Sequence, residues 1–224
     1  MTTGTVDELR AALAGASVPE LRRRTERLWR EWQDRPGELL EALVALWEPD
    51  SEREVRMGAA MLLGAVAVAE RAALEVMTTT CADDADWRVQ EALAKGLDWH
   101  CALRGWAESV PLLESWLTHG HPNVRRAAAE GPRVWTARPH FKDRPDEALR
   151  LLGLVRADDS AYVRKSAANA ISDISKKHPE LVLATLSGWT DTTSAGAWTI
   201  KHACRHLTKS HPGETAEILA GLGG

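Results

Sequence analysis

The segment His121-to-Glu130, HPNVRRAAAE, carries the pattern on which the whole chain is built. A turn-forming group comes first, then Val-Arg, then small residues. Val124, Ala127 and Ala128 are spaced three and four apart and share one face of a helix, an apolar stripe for a core. Working outward, the pattern returns as SEREVRMGAAM at Ser51-to-Met61, DWRVQEALAK at Asp86-to-Lys95 and SAYVRKSAAN at Ser160-to-Asn169. A weaker copy is WTIKHACRH at Trp198-to-His206.

Anchored on Val55, Val89, Val124, Val163 and Ile200, the steps are 34, 35, 39 and 37 residues. Each step accommodates one helical hairpin, the period of HEAT-like arrays. Amphipathic stretches between the anchors supply each first helix: Glu38-to-Trp47, Arg71-to-Thr80, Trp106-to-Thr118, Asp146-to-Val155 and Leu181-to-Trp189. The spacing predicts an all-α fold, a right-handed α-α superhelix (solenoid) of HEAT-like helical repeats, with residues 1–224 as one domain. Within it, 1–37 are N-terminal capping helices (Val6-to-Ala14 and Pro19-to-Gln33), 38–210 five two-helix repeats, and 211–224 a C-terminal cap. The connection Gly131-to-Pro145 holds three prolines and interrupts the third and fourth repeats. Its content, RVWTARPHFKDR, is unusual for a mere connector.

Composition agrees with helix. Hydrophobic residues make up 44% of the 224, enough for a core, and charged residues 27%, enough to cover it. Ten of the twelve aromatics are Trp, more than a helical core of this size usually uses. No run approaches the roughly 18 apolar residues of a membrane span, and MTTGTVDELR lacks the apolar stretch of a signal peptide. Cys81, Cys101 and Cys204 form no CxxC pair and read as buried or free thiols of a reducing cytoplasm. The expected location is therefore cytoplasmic, and no membrane partner is implied.

A net charge of −4 speaks against a generic nucleic-acid binder, but the charge is uneven. Between His121 and Glu180, twelve Lys/Arg face eight Asp/Glu, so this segment is about +4 and the remainder about −8. A basic stripe on an acidic body can steer an anionic polymer to one face, but on charge alone the ordinary reading is a solvated helix surface.

The repeats also align polar positions. Two residues beyond each anchor stand Met57, Glu91, Arg126, Lys165 and His202; six beyond stand Met61, Lys95, Glu130, Asn169 and His206. The two rows are four apart and lie one above the other on a helix. In arrays of this type the second helices usually line the concave surface, so a groove with carboxylate and cationic ladders is one reading. The ordinary reading is a set of surface salt bridges such as Glu91–Lys95 and Arg126–Glu130.

Trp87 sits one turn before Glu91 on the same face. An indole packs on cations and sugars, and a carboxylate in a partly dry groove stabilises developing positive charge. Together they suit a reaction with a cationic transition state, such as cleavage of an N-glycosidic bond. No glycine-rich phosphate loop, HExxH, GxSxG or CxxC pair is present. His202 and His206 are four apart with no third ligand evident, and read as groove or surface histidines rather than a metal site.

The stretches WRVQEALAKGLD, HPNVRRAAAEGPRVWTARPHFK and SAYVRKSAANAISDISKKHPELV resemble the HEAT-like-repeat DNA alkylation-repair proteins of the AlkC/AlkD group, over roughly residues 50–210. The resemblance implies a monofunctional N-glycosylase that removes cationic adducts such as 3-methyladenine and 7-methylguanine from duplex DNA. It implies no metal or nucleotide cofactor, and a monomer associated with the nucleoid. The AlkD-type catalytic Trp and carboxylate fall on Trp87 and Glu91, with Glu in place of the usual Asp, and the family arginine on Arg126. A second family tryptophan falls on Asn169, a context closer to the AlkC-type sequences, which makes Asp86 and Glu130 further candidate carboxylates. Candidate DNA contacts are Arg125, Arg126, Lys165, Asn169 and, in the proline-rich connection, Arg133, Trp135, Arg138 and Lys142. The alternative reading is a non-catalytic HEAT module that binds DNA or a protein partner.

Overall fold

A computed structural model describes residues 3–48, 50–189 and 193–223, and among them every regular element is helical. The chain divides into two units, 1–105 and 106–224. Six helices begin on a proline, where the missing N–H is not needed and the fixed φ suits the first turn.

The first unit holds α1 (Thr3–Leu13), α2 (Val18–Trp32), α3 (Pro36–Ala45), α4 (Arg53–Val66), α5 (Ala72–Val76) and α6 (Trp87–Arg104). The Glu20 carboxylate accepts the backbone N–H of Ser17 at 2.9 Å, closing the N-terminus of α2. Helices α2, α4 and α6 pack in that order, and α1 packs on α3. The expected N-terminal caps are thus a hairpin of the same kind as the repeats. The helix expected over Arg71-to-Thr80 is shorter, because α5 passes at Met77–Cys81 into a single π-helical turn.

Helices α4 and α6 meet through glycine. A Cβ added to Gly64 would lie 1.9 Å from the Gly96 carbonyl oxygen, and one added to Gly96 would lie 2.4 Å from that of Ala60. Only residues without a side chain allow this approach. His100 is buried beside the contact, with Nδ1 3.2 Å from the Gly64 carbonyl oxygen, so that nitrogen carries the donating hydrogen.

The second unit holds α7 (Val110–Leu117), α8 (Pro122–Glu130), α9 (Pro139–Asp143), α10 (Pro145–Gly153), α11 (Ala161–Ile174), α12 (Pro179–Ser187), α13 (Ser194–Ala203), α14 (Leu207–Ser210) and α15 (Pro212–Ala220). Here α8, α11 and α13 pack side by side, and α10 packs against both α7 and α12. Each of the five anchors, Val55, Val89, Val124, Val163 and Ile200, is fully buried, as the repeat register predicts. The connection read as a loop is folded: Trp135–Ala137 form a 3₁₀ turn and α9 follows. All three cysteines are buried free thiols, and burial pushes the Cys81 thiol well above its usual range. Among the described residues no helix is long and apolar enough to cross a membrane.

Candidate functional site

In the first unit the candidate chemistry lies on the opening turns of α6. Asp86 is its N-cap: the carboxylate accepts the Arg88 N–H at 2.9 Å, an interaction that explains the residue without catalysis. Trp87 follows and is 59% exposed, a large apolar surface left in water. The Arg88 guanidinium lies 4.6 Å from the indole centroid. Glu91, one turn on, is half-buried beside it. An indole face and a carboxylate are therefore presented together, four residues apart.

In the second unit the aligned positions fall on the packed helices α8, α11 and α13. Arg126 is half-buried on α8, and Lys165 is exposed on α11. The Asn169 amide oxygen accepts from His202 Nε2 at 3.1 Å and from Arg205 Nη2 at 2.7 Å. Where the resemblance expects a second tryptophan, this chain therefore has a polar node that ties α11 to the following residues. Burial, with Arg205 and Lys165 nearby, lowers the His202 pKa.

Several of the expected DNA contacts have partners within the fold. Trp135 is fully buried; its indole N–H donates to the Ala129 carbonyl at 3.1 Å and its ring lies 4.8 Å from that of Phe141. It is core and cannot face DNA. Arg125 is held by Asp158 and by the carbonyls of His119 and Gly120, at 2.8 and 2.9 Å. Donating to the Asp158 carboxylate raises the Arg125 pKa. Arg133 bridges Glu130, at 3.1 Å, and Asp173, at 2.7 Å. Burial opposes the Arg133 charge, but these two carboxylates outweigh it and leave the guanidinium pKa raised. Glu130, the third candidate carboxylate, is thereby a partner of Arg133. Arg138 donates to the Pro132 carbonyl at 3.3 Å and lies 5.1 Å from the Trp106 ring, while Lys142 is exposed on α9.

The Val-Arg dipeptide thus has a structural meaning that its sequence alone does not disclose. Arg56 and Arg125, each one residue past an anchor, reach Asp84 and Asp158, each five residues before the next anchor in its unit. The same aspartates accept backbone N–H groups, of Asp86 and Ser160, both at 2.8 Å. The signal lay in the recurrence of Asp at that offset.

The register hides a second relationship. Trp87 stands two residues before its anchor, and so does Trp198 on α13. These two are the exposed tryptophans of the ten, at 59% and 40%. Trp198 is also followed one turn on by a polar residue, His202. Among the described residues no group of three or more His, Cys, Asp and Glu could hold a metal ion.

The sequence profile of a family described as DNA alkylation repair enzyme matches residues 10–207. The structure of AlkD2 from Streptococcus mutans is 34% identical in sequence, and the match covers 90% of this chain and 97% of that one with a TM-score of 0.79. The structure of Pseudomonas fluorescens alkylpurine DNA glycosylase AlkC, bound to DNA containing an abasic site analog, matches with a TM-score of 0.55. At 22% identity, over 96% of this chain and 64% of that one, it is a likeness of fold. An uncharacterized protein of Bacillus subtilis, YhaZ, is 43% identical over 104 residues, 45% of this chain; the matched part spans only 29% of that relative's length.

Proposed function

The chain belongs to the DNA alkylation repair enzyme family, and on that premise we propose that it is a monofunctional DNA N-glycosylase. Its substrates are cationic alkylated purines of the 3-methyladenine and 7-methylguanine type in duplex DNA, and it acts as a monomer. The observation that carries this reading is the exposed Trp87 indole one helical turn from the half-buried Glu91 carboxylate.

The chemistry asks little of the protein. An alkylated purine already carries positive charge, so it leaves with the electron pair of the N-glycosidic bond and becomes neutral. The sugar left behind is cationic at C1′. Glu91 stabilises that charge and accepts a proton from the water that bonds to C1′, and Trp87 packs on the deoxyribose. Asp86 and Glu130 take no part in this scheme, because one caps α6 and the other pairs with Arg133.

One observation favours the non-catalytic reading. Asn169, at the place of a family tryptophan, commits its amide oxygen to His202 and Arg205, so no second aromatic stands there to clamp a lesion. Base release from methylated duplex DNA, followed by mass, decides between the two. Liberated 3-methyladenine supports the glycosylase. Duplex binding without any released base replaces it with the binding module.

A further inference from the structure

Trp198 is exposed at a position where no packing role requires an aromatic. The equivalent positions of other repeats hold Arg53, Pro122 and Ala161. Its indole is not loose, however. The His202 ring lies parallel to it, 4.7 Å between centroids with 11° between planes. The Arg164 guanidinium is 5.9 Å from its centroid, itself anchored by hydrogen bonds to the carbonyls of Asp158 and Asp159. His202 is fixed in turn by donating Nε2–H to Asn169 Oδ1, which also holds Arg205. Lys165 and Arg205 are exposed beside this group.

The result is a stack of two parallel rings on α13, its histidine fixed by a hydrogen bond to Asn169 and with Lys165 and Arg205 close by. Each feature has a counterpart in the ligand that fits. A stacked Trp–His pair offers a π-surface that accepts any nucleobase. The Lys165 and Arg205 side chains match the phosphates on either side of it. Burial and the nearby cations lower the His202 pKa and so favour the neutral imidazole. A base inside a duplex has both faces covered by its neighbours, so a base outside the stack is the one that fits here.

We infer that Trp198 and His202 form a nucleic-acid site of the second unit, which takes an unpaired nucleotide of a DNA strand by stacking its base, with Lys165 and Arg205 on the adjacent phosphates. This inference rests on the reading of the chain as a DNA-binding protein. It adds a single-stranded extension, gap or displaced base to what the protein recognises.

The test compares a fluorescently labelled blunt duplex with the same duplex carrying a short single-stranded extension, by anisotropy with the full chain. The extended DNA is expected to bind more tightly. Trp198→Ala should cancel that gain, roughly tenfold for one lost base–aromatic stack, and leave blunt-duplex affinity unchanged. Trp198→Phe should restore part of it, which guards against a folding defect. Arg205→Gln should make the salt dependence of the extended complex shallower by about 0.7 of a log unit per log of salt. Equal affinity of the parent for the two DNAs, or an unchanged preference in Trp198→Ala, overturns the inference. If the parent binds neither DNA, the proposed function falls with it. If it binds blunt duplex and releases methylated bases without preferring the extension, this inference alone is lost.

Discussion

The Arg125 guanidinium grips the Asp158 carboxylate twice, Nε to Oδ2 at 2.6 Å and Nη2 to Oδ1 at 2.9 Å, across 33 residues of chain. Both side chains are largely buried, at 17% and 5% exposure. Removing one partner strands the other. Arg125→Ala should therefore cost about 3 kcal/mol in chemical unfolding, and Asp158→Asn somewhat less because an amide oxygen can still accept from Ser160. Duplex affinity should hold in whichever variant still folds. A stable Arg125→Ala protein with weakened DNA binding would return this arginine to the phosphate-binding set.

Gly64→Ala should disrupt the first unit by about 3 kcal/mol or more, since its new methyl group meets backbone that cannot rotate aside. Gly120→Ala, where nothing lies within 4 Å of the added carbon, is the matched control and should be nearly silent. Thermal melts of the two variants make the comparison, and similar melting temperatures would contradict the close helix approach.

Glu91→Gln keeps shape and removes charge. Excision should slow by roughly 10²-fold, the rate equivalent of about 3 kcal/mol of electrostatic stabilisation. Trp87→Ala should lose less, about 1–2 kcal/mol. Asp86→Asn should retain activity, because asparagine caps a helix as well as aspartate does, and Glu130→Gln should act mainly on Arg133. Single-turnover release of 3-methyladenine ranks the four. Full activity in Glu91→Gln with loss in Asp86→Asn or Glu130→Gln would move the site.

Charge reversal at Arg126 and Lys165 should weaken duplex binding and flatten its salt dependence, by about 0.9 of a log unit per log of salt for each phosphate that is no longer neutralised. Circular dichroism should show the helices intact. Unaltered binding in the double variant would show that the basic segment serves solubility alone.

The buried His100 supplies a pH dependence. Burial is the main cause of its lowered pKa; Arg104 lowers it further, and the Gly64 carbonyl works the other way. The folded protein therefore holds this ring neutral below the ordinary imidazole value of about 6.5. Its contribution to stability is complete above that value and is lost as pH falls through the lower, folded-state pKa. Urea midpoints should decline between pH 7 and pH 5, about the range in which imidazole titrates, and decline less in His100→Gln, which keeps a donor. Equal slopes in both proteins would remove His100 from the account.

The helical architecture and the second helix of each repeat were legible because one periodic signal, a buried anchor followed by small residues, fixes both the helix and its inward face. Roles that depend on a distant partner were not. Val-Arg looks the same whether the arginine faces phosphate or reaches Asp84 or Asp158, 28 and 33 residues away. Trp135 misled for a related reason: amid arginines and prolines it reads as exposed, yet Phe141 and the Ala129 carbonyl make it core. The kinship of Trp198 with Trp87 was readable from register alone, but His202 does not resemble a catalytic partner as Glu91 does.

The backbone contact between Gly64 and Gly96 has a consequence for how this protein can change over generations. Elsewhere in the first unit a helix is located by the bulk of its side chains, and exchanging them shifts it. Where α6 meets α4 it rests on main-chain atoms, so its distance there is set by backbone and not by side-chain bulk. Gly96 lies five residues from Glu91, too close along a helix for that setting to be lost on the way. The two glycines act as a dowel: a side chain gained at either one would push α6 away from α4 and carry Trp87 and Glu91 with it.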